Sequence, residues 1–270
     1  GEACIKVIDK YIPAGAYKLT VDNVSRLSVG DNIEIRKPVT EKWIKFMKMD
    51  NLVRDGKAQT WIKAGKFLIT ERTIAAIDGN IITLTVPLID CYDSNYTDDN
   101  TTIVVANNVG RLKQCGVENI RIESPAQAVN HSKALYYALR INGEDCWAKD
   151  INAMETMESI GIGGRRITLQ QVNVIRKALH QGASKPAEFA PNGGQILLDR
   201  CSVEGDNIWF AALGAGQTGP IVFLNCTFKG NGRIEGHQRW STGILLDNCS
   251  LPNGGIDFKN RGSMGSGHGW

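Results

Sequence analysis

The sequence predicts an all-β fold, a single-stranded parallel β-helix (solenoid) preceded by a small N-terminal β-barrel-like module. Two observations predict the solenoid: a short segment recurs every 23 to 29 residues, and glycine-rich turns follow its later copies at the same place. A third observation disfavours a βαβ sheet. No amphipathic helix of ten residues or more interrupts residues 101–270, and such a sheet needs crossover helices.

The recurring segment is found at residues 169–174, 198–203, 224–228 and 246–251. Aligning the four copies places four small apolar side chains in one column, and Cys146 extends that column backwards, with separations of 26, 29, 25 and 23 residues. A period of this size indicates stacked coils that bury one continuous core. We therefore interpret the cysteines as an inward stack of small apolar side chains. The four aligned residues are Val172, Cys201, Cys226 and Cys249.

Residues 1–100 are predicted as a small β-rich module, inserted in the solenoid or packed on it, and residues 101–270 as the solenoid itself. Short alternating segments indicate strands at 12–21, 30–35, 73–80 and 81–86, with a hairpin-type turn at Asp78-Gly79-Asn80. Residues 42–57 are predicted as a short helix and loop. Because solenoids need capping repeats, and the chain stops just after a strand and a glycine-rich loop, we expect the solenoid to be truncated at its C-terminus.

The coil periodicity, with phrases such as Gly-Val-Glu-Asn-Ile-Arg-Ile at residues 116–122, resembles the pectin lyase-like superfamily. The resemblance covers roughly residues 101–270. It implies a right-handed single-stranded parallel β-helix. It also implies an activity on glycans, because that superfamily is rich in polysaccharide lyases and hydrolases.

Composition narrows the possible partners. The net charge is +3, and residues 161–270 hold 11 Lys and Arg against 7 Asp and Glu. Nucleic-acid binders usually carry a stronger basic excess and a recognition motif, so we expect no nucleic-acid partner. No run approaches 18 apolar residues, so no membrane span is predicted. No signal peptide opens the chain, and a secreted or periplasmic location is inferred from the polymer substrate that the resemblance implies.

Basic residues are predicted to stack on neighbouring coils. Aligning the second strand of successive coils places His237 beside Lys259 and Arg239 beside Arg261. Adjacent coils lie about 4.8 Å apart, so equivalent side chains nearly touch. The alignment is anchored on an apolar residue that opens each strand, namely Ile208, Ile234 and Ile256.

An anionic ligand would explain this column, because stacked like charges repel one another. The alternative is that Arg239 and Arg261 each pair with a local acid such as Glu235 or Asp257. The ligand interpretation predicts an acidic polysaccharide as the partner.

Further side chains are candidates for binding this substrate. Trp240 and Trp270 have flat rings suited to stacking on sugars, and an earlier coil offers Lys177 and His180 at a similar point. These four residues and the two arginines are the predicted substrate-binding set.

The predicted reaction is β-elimination at a uronic acid, which removes the proton at C5 and expels the oxygen at C4. Such a site needs cations beside the carboxylate, a base and a proton donor. Arg239 and Arg261 are assigned to the carboxylate, His237 or Lys259 to the base, and His268 to the donor.

Two other functions remain open from the sequence. Gly-His-Gly at residues 267–269 resembles an element of polygalacturonase-type hydrolases. Those enzymes also need clustered aspartates, and no Asp-Asp pair stands at the expected place. A non-catalytic glycan-binding β-helix, of adhesin or tailspike type, is the third possibility, since a fold does not fix a function.

No cofactor is predicted to be required, and no metal site is assigned. A divalent cation such as calcium is possible at acidic residues of the solenoid, for which the candidates are Asp199, Asp206 and Asp247.

Overall fold

The computed structural model describes residues 4–107, 110–126, 137–179, 185–237 and 239–259. These residues belong to two compact units, one containing 4–107 and the other 110–259. Both units are built almost entirely of strands, and the helices described are short. None of the helices in the described ranges is long and apolar enough to cross a membrane.

The first unit is an antiparallel half-barrel. Apolar residues on alternate positions of its strands form one core, as the period-two pattern predicted. Its elements are β1 (Ile5–Lys6), β2 (Tyr11–Ile12), β3 (Lys18–Thr20), β4 (Asn32–Pro38), α1 (Glu41–Phe46), β5 (Val53–Arg54), β6 (Lys57–Ala58), β7 (Phe67–Asp78), β8 (Ile81–Leu84), β9 (Tyr92–Asp93), α2 (Ser94–Thr97) and β10 (Thr102–Val105). The main sheet has six strands in the order β1-β10-β4-β7-β8-β3.

Two local predictions for this unit are confirmed. The strands β7 and β8 form an antiparallel hairpin in which Asp78 pairs with Ile81 around Gly79, which has a φ of +55°. The short helix is α1, and it begins where the Thr40 hydroxyl accepts a hydrogen bond from the Trp43 N–H at 3.1 Å.

The second unit is the predicted parallel β-solenoid. Its strands pair in parallel from coil to coil, and their inward side chains build one core. The strands are β11 (Leu112–Lys113), β12 (Gly116–Glu123), β13 (Leu139–Met154), β14 (Ile160–Ile175), β15 (Ala187–Asp199), β16 (Ser202–Glu204), β17 (Trp209–Ala212), β18 (Ile221–Leu224), β19 (Thr227–Lys229), β20 (Arg233–Glu235), β21 (Ile244–Asp247) and β22 (Gly255–Asp257).

A left-handed residue bends each coil at the same place. Its φ lies between 51° and 54° in five successive coils, so the chain turns a corner there, within β13 and β14 and after the ends of β15, β18 and β21. Polar residues fill these positions because their side chains face solvent at the corner, and Asn248 Nδ2 donates to Asn225 Oδ1 at 2.7 Å. The five residues are Asp150, Gln171, Arg200, Asn225 and Asn248.

The predicted column of small apolar residues is confirmed for four of its five members. The strand registers place Val172, Cys201, Cys226 and Cys249 one above another. The thiols of Cys201 and Cys226 are buried, and each donates to a carbonyl oxygen of the preceding coil.

Cys146 does not belong to that column, and the alignment that placed it there is wrong. It pairs with Ile167, whereas Ile151 pairs with Val172. The physical reason is the corner: Cys146 lies before the left-handed Asp150, and Cys201 follows the left-handed Arg200. The segments before and after this corner both point small apolar side chains inward, so sequence similarity alone does not show to which of the two segments a cysteine belongs.

Glycines allow the coils to approach at a neighbouring corner. A Cβ on Gly164 would lie 1.9 Å from the carbonyl oxygen of Gly143, and one on Gly193 would lie 2.1 Å from that of Gly164. Backbone therefore packs on backbone at this corner, and any side chain there would separate adjacent coils.

Gly164→Ala is expected to lower the free energy of unfolding much more than Gly110→Ala. Both glycines are left-handed, with φ of +88° and +80°, but a Cβ at Gly110 meets nothing within 4 Å. The control therefore measures the cost of the backbone conformation, about 1 kcal/mol, and Gly164→Ala adds a steric cost of about 1–3 kcal/mol. Urea unfolding of both variants measures the difference, and equal losses would contradict the close packing.

A buried polar cluster lies where β15 begins. The hydroxyls of Thr156 and Ser159 lie 2.6 Å apart, and the Ser159 hydroxyl and backbone N–H both contact the Glu188 carboxyl group. Glu188 is fully buried, and burial raises its pKa to about 7, although Ser159 and Arg176 oppose the shift. Glu188 therefore holds its proton more tightly in the folded chain than in the unfolded chain.

The solenoid is expected to lose stability as the pH rises from about 4.5 to about 7. Across this interval the folded chain keeps a proton that the unfolded chain has released, which changes the free energy of unfolding by up to about 3 kcal/mol. Glu188→Gln removes the titrating group and should flatten this dependence, while the exposed control Glu204→Gln should keep it. Urea unfolding at several pH values checks this, and equal slopes in the two variants would refute it.

Candidate functional site

The candidate site lies on the outward side of three stacked strands, β17, β20 and β22. Ile234 pairs with Ile256, as predicted, but it pairs with Ala211 on the other side rather than with Ile208. The Ile208 alignment is therefore wrong, because a bulge between Trp209 and Ala211 shifts the register. The outward residues here, which we call the candidate face, are Trp209, Arg233, Glu235, His237, Asp257 and Lys259.

His237 and Lys259 each lie two residues beyond the end of the ladder between β20 and β22, which closes with the pair of Glu235 and Asp257. Gly236 lies against the Phe258 ring. That His237 lies beside Lys259 stays a prediction.

Glu235 and His237 form a carboxylate–imidazole pair. The Glu235 carboxylate contacts His237 Nδ1 and is only 1% exposed, whereas the imidazole ring is 33% exposed. On the preceding coil, Glu235 pairs with the small Ala212. An ionised carboxylate accepts the Nδ1 proton, so the neutral ring has Nε2 as its proton-accepting nitrogen.

Asp257 lies between two cations. One of its carboxylate oxygens is 3.5 Å from Lys259 Nζ, and the other is 3.7 Å from Arg233 Nε. The local-acid alternative expected Asp257 and Glu235 to pair with Arg261 and Arg239. In the described residues Asp257 contacts Lys259 and Arg233, and Glu235 contacts His237. Arg261 lies outside the described residues, so its pairing stays a prediction.

Arg239 and Trp240 follow the strand in a strained conformation. Their φ values are 40° and 66°, which side chains of this size rarely adopt. The Arg239 carbonyl accepts from the Gly216 N–H at 3.0 Å, and this bond holds the turn. Arg239 Nε is buried, and the described part of the chain provides it with no acceptor. Strain and an unsatisfied cationic donor are features of binding sites.

Trp209 and Lys185 were not identified from the sequence. The Trp209 ring centroid lies 6.2 Å from that of His237, and Lys185 Nζ lies 5.6 Å from the Trp209 centroid. The bulge hid Trp209, since pairing it with Arg233 requires the register shift. The proximity of Lys185 depends on the loop before β15, which carries no repeat signal.

A pocket of about 370 Å³ opens beside the candidate face. Its walls combine two aromatic rings, an isoleucine, two hydroxyl side chains and glycine backbone. The lining residues are Gly236, Trp240, Ser241, Thr242, Gly243, Ile244 and Phe258.

The remaining predicted residues are not brought to this face by the described structure. Lys177 is exposed at the turn after β14, where its backbone N–H donates to Glu155 Oε1 at 2.9 Å. Four other predicted site residues lie outside the described residues, namely His180, Arg261, His268 and Trp270.

The cation sites suggested by the sequence stay predictions. In the described ranges no group of three or more His, Cys, Asp or Glu is arranged to hold a metal ion. The Asp199 carboxylate already contacts Arg200 at 2.7 Å and Gln170 at 3.2 Å.

No protein-family model and no curated protein matches the chain. Among solved structures, it is similar to the gp54 tailspike of Acinetobacter baumannii bacteriophage AP22, solved in complex with A. baumannii capsular saccharide. The identity is 11%, the TM-score is 0.38, and the match covers 95% of this chain and 57% of the tailspike.

Two further bacteriophage tailspikes are similar. For gp49 from Pseudomonas phage LKA1 the identity is 13% and the TM-score 0.36, with 93% of this chain and 46% of the tailspike covered. For gp61 from Pseudomonas phage phi297 the identity is 11% and the TM-score 0.27, with 95% of this chain and 34% of the tailspike covered. The chain therefore spans between a third and three fifths of these tailspikes.

Replacing Glu235 by Gln is expected to change the tautomer of His237. In the native protein the carboxylate should hold the proton of the neutral ring on Nδ1, whereas an amide can also donate to Nδ1 and so allows the other tautomer. Imidazole ¹⁵N chemical shifts measured well above the titration of the ring distinguish the two forms. Glu204→Gln is the matched control, and an unchanged His237 spectrum in Glu235→Gln would contradict the pairing.

Proposed function

We propose that this protein binds an acidic polysaccharide along the candidate face and cleaves it by β-elimination, as a glycan-active β-helix of the pectin lyase-like type. The observation that carries the proposal is the pairing of His237 with the buried Glu235 on a face that also presents Arg233 and Lys259, with Arg239 two residues after His237 in the chain. A positioned imidazole beside several cations matches what elimination from a uronic acid requires.

His237 is the proposed base. Its Nε2 takes the proton from C5 of the sugar, the electron pair of that bond forms the C4–C5 double bond, and the C4–O bond breaks. The departing oxygen takes a proton, which we assign to His268 as its donor. Glu235 holds the imidazole in the required tautomer and stabilises the imidazolium that forms.

The cations are proposed to bind the uronate carboxylate. Their positive charge stabilises the negative charge that develops when the C5 proton leaves. Arg239 is assigned to this role because its buried Nε lacks an acceptor in the described residues, and an anion supplies one. Lys259 pairs with Asp257, so we assign it to binding rather than to proton abstraction.

Other binding assignments extend the same proposal. Trp240 is placed against a sugar ring because aromatic faces pack well on the apolar side of sugars. Arg261, His180, Lys177 and Trp270 are retained as binding residues for more distant parts of an extended polymer.

Hydrolysis is the second candidate, and a specific observation favours it. Glu235 and Asp257 are paired in register on adjacent coils, so two carboxyl groups face the same site. Glycoside hydrolases use such pairs as acid and base or nucleophile. We rank elimination first because Glu235 is buried against His237 and Asp257 lies near two cations.

The proposed substrate also suggests where the protein works. A large acidic polysaccharide is encountered outside the cell or in a periplasm, so we propose a secreted or periplasmic location. The proposal includes no nucleic-acid partner and no required cofactor, with a divalent cation such as calcium as an optional ligand at Asp199, Asp206 or Asp247.

Incubation with a panel of uronic-acid polysaccharides should produce the ultraviolet absorbance of an unsaturated uronate. His237→Ala should lower the rate on the order of a hundred- to ten-thousand-fold, because the base is lost. Lys259→Ala should mainly raise KM, and the exposed control Lys229→Ala should change neither constant.

Three results would contradict this assignment. New reducing ends without the absorbance would indicate hydrolysis, and binding without either product would indicate a glycan-binding protein. Full activity in both His237→Ala and Lys259→Ala would remove the candidate face from the reaction.

A further inference from the structure

Arg140 lies flat on the surface of the second unit. Its guanidinium carbon is 3.8 Å from the centroid of the Tyr137 ring. On the next coil, a Cβ on Gly161 would lie 2.0 Å from Arg140 Nη1 and 2.5 Å from its Cδ, so the side chain lies across this glycine. The aromatic ring and the glycine together hold the plane of a guanidinium that is exposed to solvent.

None of the carboxylates in the described residues pairs with Arg140. Glu144, which follows on the same strand, instead contacts Arg165 and Arg166, each at 2.6 Å. Residues 127–136, which precede Tyr137 in the chain, contain no Asp or Glu. An arginine that is held in place without a carboxylate is suited to bind an anion from outside the chain.

Arg140 lies in one outward column with Glu235 of the candidate face. Arg140 pairs with a glycine at one end of the column, and Glu235 pairs with an alanine at the other. Because the guanidinium lies at the level of this glycine, three coil spacings, about 14 Å, separate it from Glu235. A short oligosaccharide spans this distance, so one polymer chain can contact both. The intervening residues are Gly161, its partner Ala190, and Ala212, where Ala190 and Ala212 directly follow the paired Phe189 and Ala211.

Two exposed amides accompany Arg140 on this surface. Asn142 lies over Gly163, where a Cβ would be 3.2 Å from Asn142 Oδ1. Gly163 pairs with Asn192 on the following coil, and Asn192 Oδ1 accepts a hydrogen bond from Nε2 of the buried Gln217. The Asn192 Nδ2 group can therefore donate to a ligand. A guanidinium with two amides beside it matches the carboxylate and hydroxyl groups of an acidic sugar.

We propose that Arg140, Asn142 and Asn192 form a second subsite, which binds a uronic-acid residue several sugars away from the bond that is cleaved. The guanidinium binds the carboxylate, and the two amides bind neighbouring hydroxyl groups. This inference rests on the proposed function, and it specifies the substrate as a chain with acidic sugars about 14 Å apart. Long chains therefore bind more tightly than short ones.

Calorimetry with acidic oligosaccharides of increasing length tests the subsite. The probes are oligomers of galacturonate, mannuronate and glucuronate, from dimers to octamers. Affinity should rise about 10-fold or more once a chain reaches from Glu235 to Arg140, because a charge-assisted contact is added. Arg140→Ala should remove this rise. Arg121→Ala is the matched control and should keep it, since Arg121 is exposed and already pairs with Glu123 at 2.9 Å.

Gly161→Ala separates the position of the guanidinium from its charge. The added methyl group takes the place of Arg140 Nη1 and displaces the side chain, while the charge and the Tyr137 ring remain. Long oligomers should bind about 5-fold more weakly to this variant, because the guanidinium loses its fixed orientation. Urea unfolding checks that the variant keeps its fold.

Three results would overturn the subsite. The first is an affinity that does not rise with length, and the second is a rise that Arg140→Ala retains. The third is equal binding of methyl-esterified oligogalacturonate, which carries no charge and should not depend on Arg140.

Cleavage separates this inference from the proposed function. If long oligomers bind through Arg140 but no uronic-acid polymer is cleaved, the elimination proposal fails and the subsite stands. If polymers are cleaved and Arg140→Ala keeps the native KM for long and short chains, the subsite proposal fails alone. Absence of binding to every acidic oligomer overturns both.

Discussion

The close parallel stacking of coils is the constraint on which the second unit depends. Each residue lies about 4.8 Å from its equivalent on the next coil, so whatever a position holds is repeated as a column. Inward positions tolerate this repetition, because apolar side chains such as those of Cys201 and Cys226 pack on one another. The corner at Gly143, Gly164 and Gly193 accepts it only without side chains, since backbone oxygen fills the space of a Cβ.

Outward columns must also balance charge, and two regions of the solenoid do so differently. On the adjacent strands β13 and β14, the buried Glu144 carboxylate lies 2.6 Å from the guanidinium of Arg165 and 2.6 Å from that of Arg166. An acid on one coil therefore faces a base on the next. On the candidate face, acid lies over acid, because Glu235 pairs with Asp257. Glu235 contacts His237 and Asp257 contacts Lys259 along their own strands, and Asp257 also lies near Arg233 of the preceding coil, so basic groups surround the two stacked carboxylates.

The sequence predicted the solenoid and part of the candidate face because a repeat carries register information. The column of Cys201, Cys226 and Cys249 and the pairing of Ile234 with Ile256 both follow from aligned motifs. Cys146 was misplaced because apolar and polar residues alternate in the same way on both sides of a corner. The alternation therefore does not show on which side of the corner a residue lies. The register that pairs Glu235 with Ala212 depends on a bulge, and the φ values of Arg239 and Trp240 depend on the loop. Neither the bulge nor the loop conformation produces a periodic signal in the sequence.

The functional groups gather where the β20 ladder ends. Within the ladder, each backbone amide and each side-chain direction is fixed by the coils above and below. After Glu235 the chain leaves that order, and Arg239 and Trp240 adopt conformations that a strand would forbid. A rigid strand thus orients Glu235, while the loop that follows brings the His237 imidazole against it and also carries Arg239 and Trp240. Such a division between a scaffold that fixes one group and a loop that supplies the others is how repetitive folds acquire a specific site.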